Sequence, residues 1–379
     1  MSTSVRMSRP NVFEIDLDAI AANVSEIRAA VGPDVRIFVA MKANAYGFGL
    51  VETAGVLQAC GVDTLCVVDV LDASRLRASG ITIPILLYAG SHIEEGFVRA
   101  AEELKLWVTI TDVAAAITYS RLARLELGCF VKVDVGLERL GIPAHAAADA
   151  LQEIARLPRL RFEGIYSHMD ASNKSTDDYI GWQLGRFRAV VREARDAGLI
   201  FPTAMAASTP VVPVVGCGGL DAIDVGRLVY GSLRATRDRT GSMHIRSAFG
   251  SLRSRLIQVK EIVRHEHVDD APIPIRPGMR IGIAPIGYAD GIESLNCGYA
   301  LVRGRRAPLV NGSSLEHTRL DLTDVPEACV GDEVVFVGSQ DGAEITPDEV
   351  FEHLDLAQPA RMATAVRDSV ARVYLRTKT

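Results

Sequence analysis

Residues 18–49 read DAIAANVSEIRAAVGPDVRIFVAMKANAYGFG, and the pattern of this stretch decides the fold. Asp18 can cap a helix along which Ile20, Val24, Ile27 and Val31 recur every three or four residues, and Gly32 closes it. The apolar, partly β-branched run Ile37–Met41 then reads as a strand. The same alternation of short strand and longer helical pattern continues from about Glu14 to Ser232. Seven further candidate strands are Thr64–Val68, Ile83–Tyr88, Leu106–Ile110, Cys129–Asp134, Phe162–Ser167, Thr203–Ala207 and Ala222–Asp224. Parallel neighbours need a crossover helix, so eight such units over ~220 residues point to an α/β chain built as a (β/α)8 TIM-type barrel. A doubly wound open sheet is the rival, and the strand count favours the barrel.

After about Ile245 the texture changes. Strand-like runs at Leu256–Val263, Arg280–Gly287, Tyr299–Val302 and Glu333–Val337 are split by Pro and Gly, with one clear helix near Pro347–Leu354. That pattern predicts a mainly antiparallel β domain, to which Val12–Ile15 could add a strand. A chain of 379 residues suits two cores rather than one, and the expected division is a barrel at 11–245 and a β domain at 246–379.

The totals exclude several classes. A net charge of −6 gives no electrostatic case for nucleic acid or an anionic membrane as a partner. The opening MSTSVRMSRP lacks the apolar core of a signal peptide, and no apolar run approaches the ~20 residues of a bilayer span. Cysteines 60, 66, 129, 217, 297 and 329 show no C-x2-C spacing, which argues against structural zinc and a disulfide scaffold. A reducing cytoplasm is the expected location and no metal is expected.

In such barrels the chemistry sits where the strands end. The first strand ends in Lys42, Tyr46 and their flanking glycines, and the fifth in Asp134 followed by Arg139. The sixth carries His168, the seventh Ser208 and Thr209, and the eighth runs through Asp224 into Gly226 and Arg227. This set suits a cofactor with a phosphate, an aldehyde and a basic ring nitrogen. A lysine directly after an apolar strand is expected to be partly desolvated, which lowers its pKa and makes it a nucleophile and base. Taken alone, Lys42 reads more plainly as a snorkelling surface lysine, and the residues around it overturn that reading.

The segment KANAYGFG (42–49) resembles the cofactor-lysine motif of the alanine racemase family, the fold-type III pyridoxal-phosphate enzymes; it departs mainly at Phe48, where histidine is common. Four further stretches match in order: VKVDVGLERLG (131–141), EGIYSHM (163–169), DVGRLVYG (224–231) and APIGYADG (284–291). The resemblance implies pyridoxal 5′-phosphate held as a Schiff base on Lys42, which also serves as the base on one face of an amino-acid substrate. It implies that Tyr46 and Ser208 hold the phosphate, with backbone N–H groups from the Gly226 region. Arg139 would approach the cofactor's phenolate oxygen and the substrate carboxylate, and Lys132 matches a lysine often carbamylated in the family. Tyr288 matches the second base, donated across a homodimer interface. Other readings stay open: Tyr288 as a core tyrosine, and Lys132 as a solvated lysine or an ion pair with Asp134.

Three departures bear on function. The position that in the family holds an arginine facing the pyridine nitrogen is Asp224, which would stabilise a pyridinium and so a stronger electron sink. His168 could orient Asp224 by a hydrogen bond, or be a satisfied structural histidine. Near the substrate, a usual tyrosine-glycine pair is replaced by His267–Pro272, and a usual Met-Asp pair by Leu315-Glu316, with Leu315 the candidate substrate contact. An expected phosphate-binding tyrosine falls at Asp368, so Arg227 or Arg367 would have to compensate. The first reading is an amino-acid racemase or epimerase whose substrate is other or broader than alanine. Since acidic residues face the pyridine in fold-type III decarboxylases, aldol-type transfer or decarboxylation is the alternative; a non-catalytic cofactor carrier is a third.

Overall fold

The strands at residues 36–40, 64–67, 85–87, 107–110, 127–134, 160–166, 204–208 and 222–225 close on themselves, each parallel to its neighbours. This is a computed structural model, and it describes residues 9–89, 92–171, 175–233, 239–263, 275–354 and 360–377. The chain divides into two units, one of residues 19–231 with 239–246, the other of residues 9–18, 232–233 and 247–377. Residues 12–16 form a strand that is paired within the second unit. No helix among the described residues is long and apolar enough to cross a membrane.

In chain order, β1 is Val12–Asp16, β2 Arg36–Ala40, β3 Thr64–Val67, β4 Ile85–Leu87, β5 Trp107–Ile110 and β6 Leu127–Asp134. A two-residue β7 (Ile142–Pro143) lies beside the end of β6, and β8 Leu160–Tyr166, β9 Ala204–Ser208 and β10 Ala222–Val225 follow. The barrel order is β2-β3-β4-β5-β6-β8-β9-β10, closed by pairing of β10 with β2. All eight expected strands are present, with ends shifted by a residue or two. They are legible because a parallel strand covered on both faces is a continuous apolar run. The first helix, Leu17–Val31, already includes Asp18, so Asp18 is not its cap. The Asp18 carboxylate instead accepts from the Thr377 N–H at 2.7 Å. Gly32 does end this helix, at φ +95°.

Strand side chains alternate faces, and this rule stacks the barrel interior in layers. Phe38, Cys66, Leu86, Phe130, Tyr166, Met205 and Ala222 form one buried cluster, with Phe130 edge-on to Tyr166 at 6.3 Å between centroids. Two residues further along each strand, on the same face and nearer the C-terminal rim, come Tyr88, Lys132, His168 and Asp224. An apolar floor therefore carries a polar layer directly above it.

The second unit contains β11 Phe249–Arg255, β12 Gln258–Glu261, β13 Arg280–Ala284, β14 Tyr299–Val302 and β15 Arg305–Ser313. It continues with β16 Thr318–Asp321, β17 Glu333–Gln340, β18 Ala343–Ile345 and β19 Ala371–Leu375. Their order is β12-β13-β16-β15-β14-β17-β11-β1-β19, with β18 on β17; only β1 and β19 run parallel. The run Leu256–Val263 expected as a strand shortens to β12, Gln258–Glu261. β15 carries no clear strand signal, because Arg305, Arg306 and Pro308 interrupt its apolar alternation and its outward residues are exposed. The substituted segment His267–Pro272 lies outside the described residues.

Candidate active site

The β2 strand delivers Lys42 through an unusual turn. Ala43, Asn44, Ala45 and Tyr46 all adopt left-handed φ values of 54–55°, followed by Gly47 and Gly49 at 90°. A non-glycine residue pays roughly 1–2 kcal/mol for this conformation, so four in succession store strain that the surroundings must hold. Four residues with side chains, not only the glycines, make most of this turn. Several contacts hold it: Ala45 N–H donates to Met41 O at 2.8 Å, Gly49 N–H to Asn44 O at 3.0 Å, and Leu50 N–H to Asn44 Oδ1 at 2.9 Å. The Tyr230 hydroxyl donates to Ala40 O at 2.8 Å, and its ring stacks on Phe48 at 5.3 Å. Phe48, the departure from the family motif, is thus a buried packing residue. Lys42 itself is exposed, not desolvated as expected, with Nζ 5.9 Å from the Tyr46 ring centroid.

Tyr46 leans over Gly226, where an added Cβ would lie 2.7 Å from the tyrosine hydroxyl oxygen. Burial, reinforced by Asp224 and opposed by Arg227, pushes the Tyr46 phenol up to about 12, so it stays a donor. Thr209 Oγ1 accepts from Gly226 N–H at 3.1 Å and Leu228 N–H at 3.4 Å. The Gly226 N–H expected for phosphate is therefore already partnered, and its visible contribution is to make room for Tyr46. Ser208 Oγ is buried and has no hydrogen-bond partner among the described residues.

Lys132 is buried, with Nζ 4.7 Å from the Tyr166 ring centroid. Burial lowers its pKa to about 8; Arg139 and Lys42 add to the fall while Asp224 and Asp134 oppose it. No ion pair joins Lys132 to Asp134 among the described residues. Asp134 instead organises the loop carrying Arg139: Oδ1 accepts from Gly136, Leu137 and Glu138 N–H, and Oδ2 from Arg139 N–H at 2.8 Å. Burial works to raise the Asp134 pKa, but these four backbone donors hold the carboxyl below its usual range. Arg139 is exposed. His168 is pushed down to about 3 by burial and then by Lys132, Arg139 and Lys42, so it is a neutral imidazole. The bond considered between His168 and Asp224 does not appear; Asp224 Oδ1 accepts from the Tyr88 hydroxyl at 2.5 Å. Burial raises the Asp224 pKa, while Tyr88, Lys132 and Lys42 oppose the rise. Tyr88 was missed because, closing the apolar run ILLY, it reads as core.

In the second unit, Tyr288 and Leu315 belong to one backbone assembly. Tyr288 N–H donates to Ser314 O and Ala289 N–H to Leu315 O, both at 3.0 Å. The buried Asp290 carboxylate anchors it, accepting from Arg9, Gly287 N–H at 2.9 Å and Ser369 Oγ at 2.7 Å. Tyr288 is 48% and Leu315 53% exposed, so the core-tyrosine alternative does not describe Tyr288. Asp368 is 97% exposed, and the cation beside it is Arg372 at 3.3 Å.

A closed (β/α)8 barrel followed by a mainly β unit is the architecture of the fold-type III pyridoxal-phosphate enzymes. Residues 15–234 match the model of the alanine racemase N-terminal domain and residues 249–374 that of its C-terminal domain. The chain belongs to the alanine racemase family. It is 31% identical to "Alanine racemase 2" of Caldanaerobacter subterraneus subsp. tengcongensis over 97% of this chain and 95% of that protein. It is 32% identical to an alanine racemase of Desulfosudis oleivorans, over 95% of each chain. The crystal structure of alanine racemase from E. faecalis superposes with a TM-score of 0.86 at 25% identity, covering 98% of this chain and 100% of that one.

Enzymes of this family use pyridoxal 5′-phosphate. The residues fit it. The partnerless Ser208 hydroxyl and the Tyr46 phenol offer donors for a phosphate, Lys42 offers an accessible amine, and Asp224 offers an acid for a ring nitrogen.

Proposed function

We propose that this chain is a pyridoxal-phosphate-dependent amino-acid racemase or epimerase with a substrate other, or broader, than alanine. The observation that carries the cofactor site is the Ser208 hydroxyl. A buried donor without an acceptor costs about 1–3 kcal/mol, and a phosphate oxygen beside Tyr46 would remove that cost. When bound, the cofactor supplies the carbonyl that captures the substrate amine and a ring that accepts electron density as the Cα proton leaves. Lys42 holds the cofactor and moves the proton on one face. Tyr288, half exposed on its anchored loop, serves the opposite face from a second copy of the chain, which makes the working form a homodimer. Arg139 binds the substrate carboxylate, and Leu315 borders its side chain.

Lys132 is proposed to be carbamylated. With a pKa near 8, about a tenth of its amine is neutral at pH 7, and that form adds carbon dioxide. Asp224 favours a second reading, aldol-type transfer or decarboxylation, because an acid at a ring nitrogen strengthens the electron sink. Amino acids incubated with the protein in deuterated buffer and followed by NMR separate the two. Deuterium at Cα of both enantiomers supports racemisation, whereas carbon dioxide release or C–C cleavage supports the second. Borohydride reduction and peptide mapping should place the trapped cofactor on Lys42; an adduct elsewhere, or none, would sink the assignment.

A further inference from the structure

The polar layer above the barrel floor contains a tyrosine that the family motifs do not cover. Tyr88 directly follows the third barrel strand, β4, and donates to Asp224 Oδ1 at 2.5 Å. The buried Cys66 thiol on β3 is close enough to the Tyr88 side chain to interact with it electrostatically. The Tyr88 ring lies 6.4 Å from that of Tyr166, whose hydroxyl is itself bonded to Thr109 Oγ1 at 3.1 Å. Tyr88 is therefore packed from β3 and β8 with its hydroxyl aimed at one carboxylate oxygen.

We propose that Tyr88 is a positioning residue that fixes Asp224 through Oδ1 and leaves Oδ2 to meet the cofactor's ring nitrogen. The inference rests on the reading that Asp224 faces that nitrogen. An aspartate in a half-buried barrel layer loses hydration and tends to take up a proton; a phenol donor favours the ionised form. The other ionisable groups acting on Asp224 are Lys42 after β2, Cys66 on β3, Lys132 on β6, Tyr166 on β8 and Tyr46 in the turn. Of these only the two lysines can carry positive charge near neutrality, and the carbamylation proposed for Lys132 would remove its charge. Tyr88 supplies the neutral donor that does not fade with pH in that range, since burial and then Asp224 keep its own phenol protonated.

The test is the pH midpoint of the ring nitrogen, read by 15N NMR on holoenzyme loaded with cofactor labelled at that atom. The proteins compared are the unaltered one, Tyr88→Phe, Asp224→Asn, and Thr109→Val as a control that removes a buried hydroxyl bond elsewhere in the wall. Asp224→Asn is expected to lower the midpoint most. Tyr88→Phe is expected to lower it by about one to two pH units, the worth of a hydrogen bond to a charged group. Thr109→Val should leave it unmoved. If Asp224→Asn shifts the midpoint and Tyr88→Phe does not, or if Thr109→Val shifts it as far as Tyr88→Phe, the inference is overturned while the placement of Asp224 stands. If Asp224→Asn has no effect, that placement fails and the inference with it.

Discussion

Replacing Gly226 by alanine sets a methyl carbon 2.7 Å from the Tyr46 hydroxyl oxygen and 3.0 Å from the ring carbon that bears it. Non-bonded heavy atoms rest near 3.5 Å, so the hydroxyl must retreat by up to about 0.8 Å. Gly226 has φ −136°, so the added side chain meets no penalty from a left-handed backbone and the clash is the main effect. The retreat is resisted, because the Tyr46 ring packs on Tyr230 at 5.1 Å and Tyr230 stacks in turn on Phe48. Such overpacking costs roughly 1–3 kcal/mol of stability. A phenol moved this far would lose the bond proposed for it to a charged phosphate, about 1.5–3 kcal/mol, and so weaken cofactor binding by roughly 10- to 100-fold. Titrating cofactor-free protein with pyridoxal phosphate by absorbance, alongside thermal unfolding, measures both quantities. In a Tyr46→Phe background the nearest atom is gone, so Gly226→Ala should cost less there. Equal losses in the two backgrounds, or none in either, would show that Gly226 does not act through Tyr46.

Three further outcomes are expected. Lys42→Ala should abolish the cofactor's visible band, yet mixing it with Tyr288→Phe under exchange should restore about a quarter of the activity, since half the dimers would be mixed and each would hold one intact site; a fully active monomer in sedimentation would contradict the shared site. Asp224→Arg should suppress any long-wavelength absorption on adding substrate, together with any cleavage or decarboxylation; an unchanged spectrum would mean that Asp224 does not face the ring. His168 takes its proton near pH 3 in the folded protein but near pH 6.5 in an unfolded chain, so its contribution to stability is full above about pH 6.5 and is lost as pH falls toward 3. Chemical denaturation across that window should show a shallower pH slope in His168→Gln than in the parent, and parallel slopes would refute the assignment.

The barrel was legible because its strands are apolar runs such as Leu127–Asp134, and because residues ending them, Lys42, His168 and Asp224, are conspicuous against that background. Tyr288 and Leu315 were legible one at a time, and their joint assembly through Ser314 was not, since it depends on backbone bonds between distant residues. Tyr88 was hidden by its apolar neighbours, and β15 by its arginines and proline. The left-handed turn at 43–46 left no mark at all, because no glycine stands at those positions to announce it. Asp18 has the chemistry of a cap, but its partner, Thr377, is 359 positions away. What escaped was set by tertiary partners, whereas what was read was set by local pattern.

The parallel pairing of β1 with β19 has a consequence for how the protein is made. Residues 12–16 emerge early from a ribosome and must wait for residues 371–375 before one flank of that strand is covered. The barrel strands, by contrast, are complete once synthesis has passed residue 225. A nascent chain interrupted after β17 and before β19 would hold β1 with one flank bare, an edge open to self-association until the last strand is made.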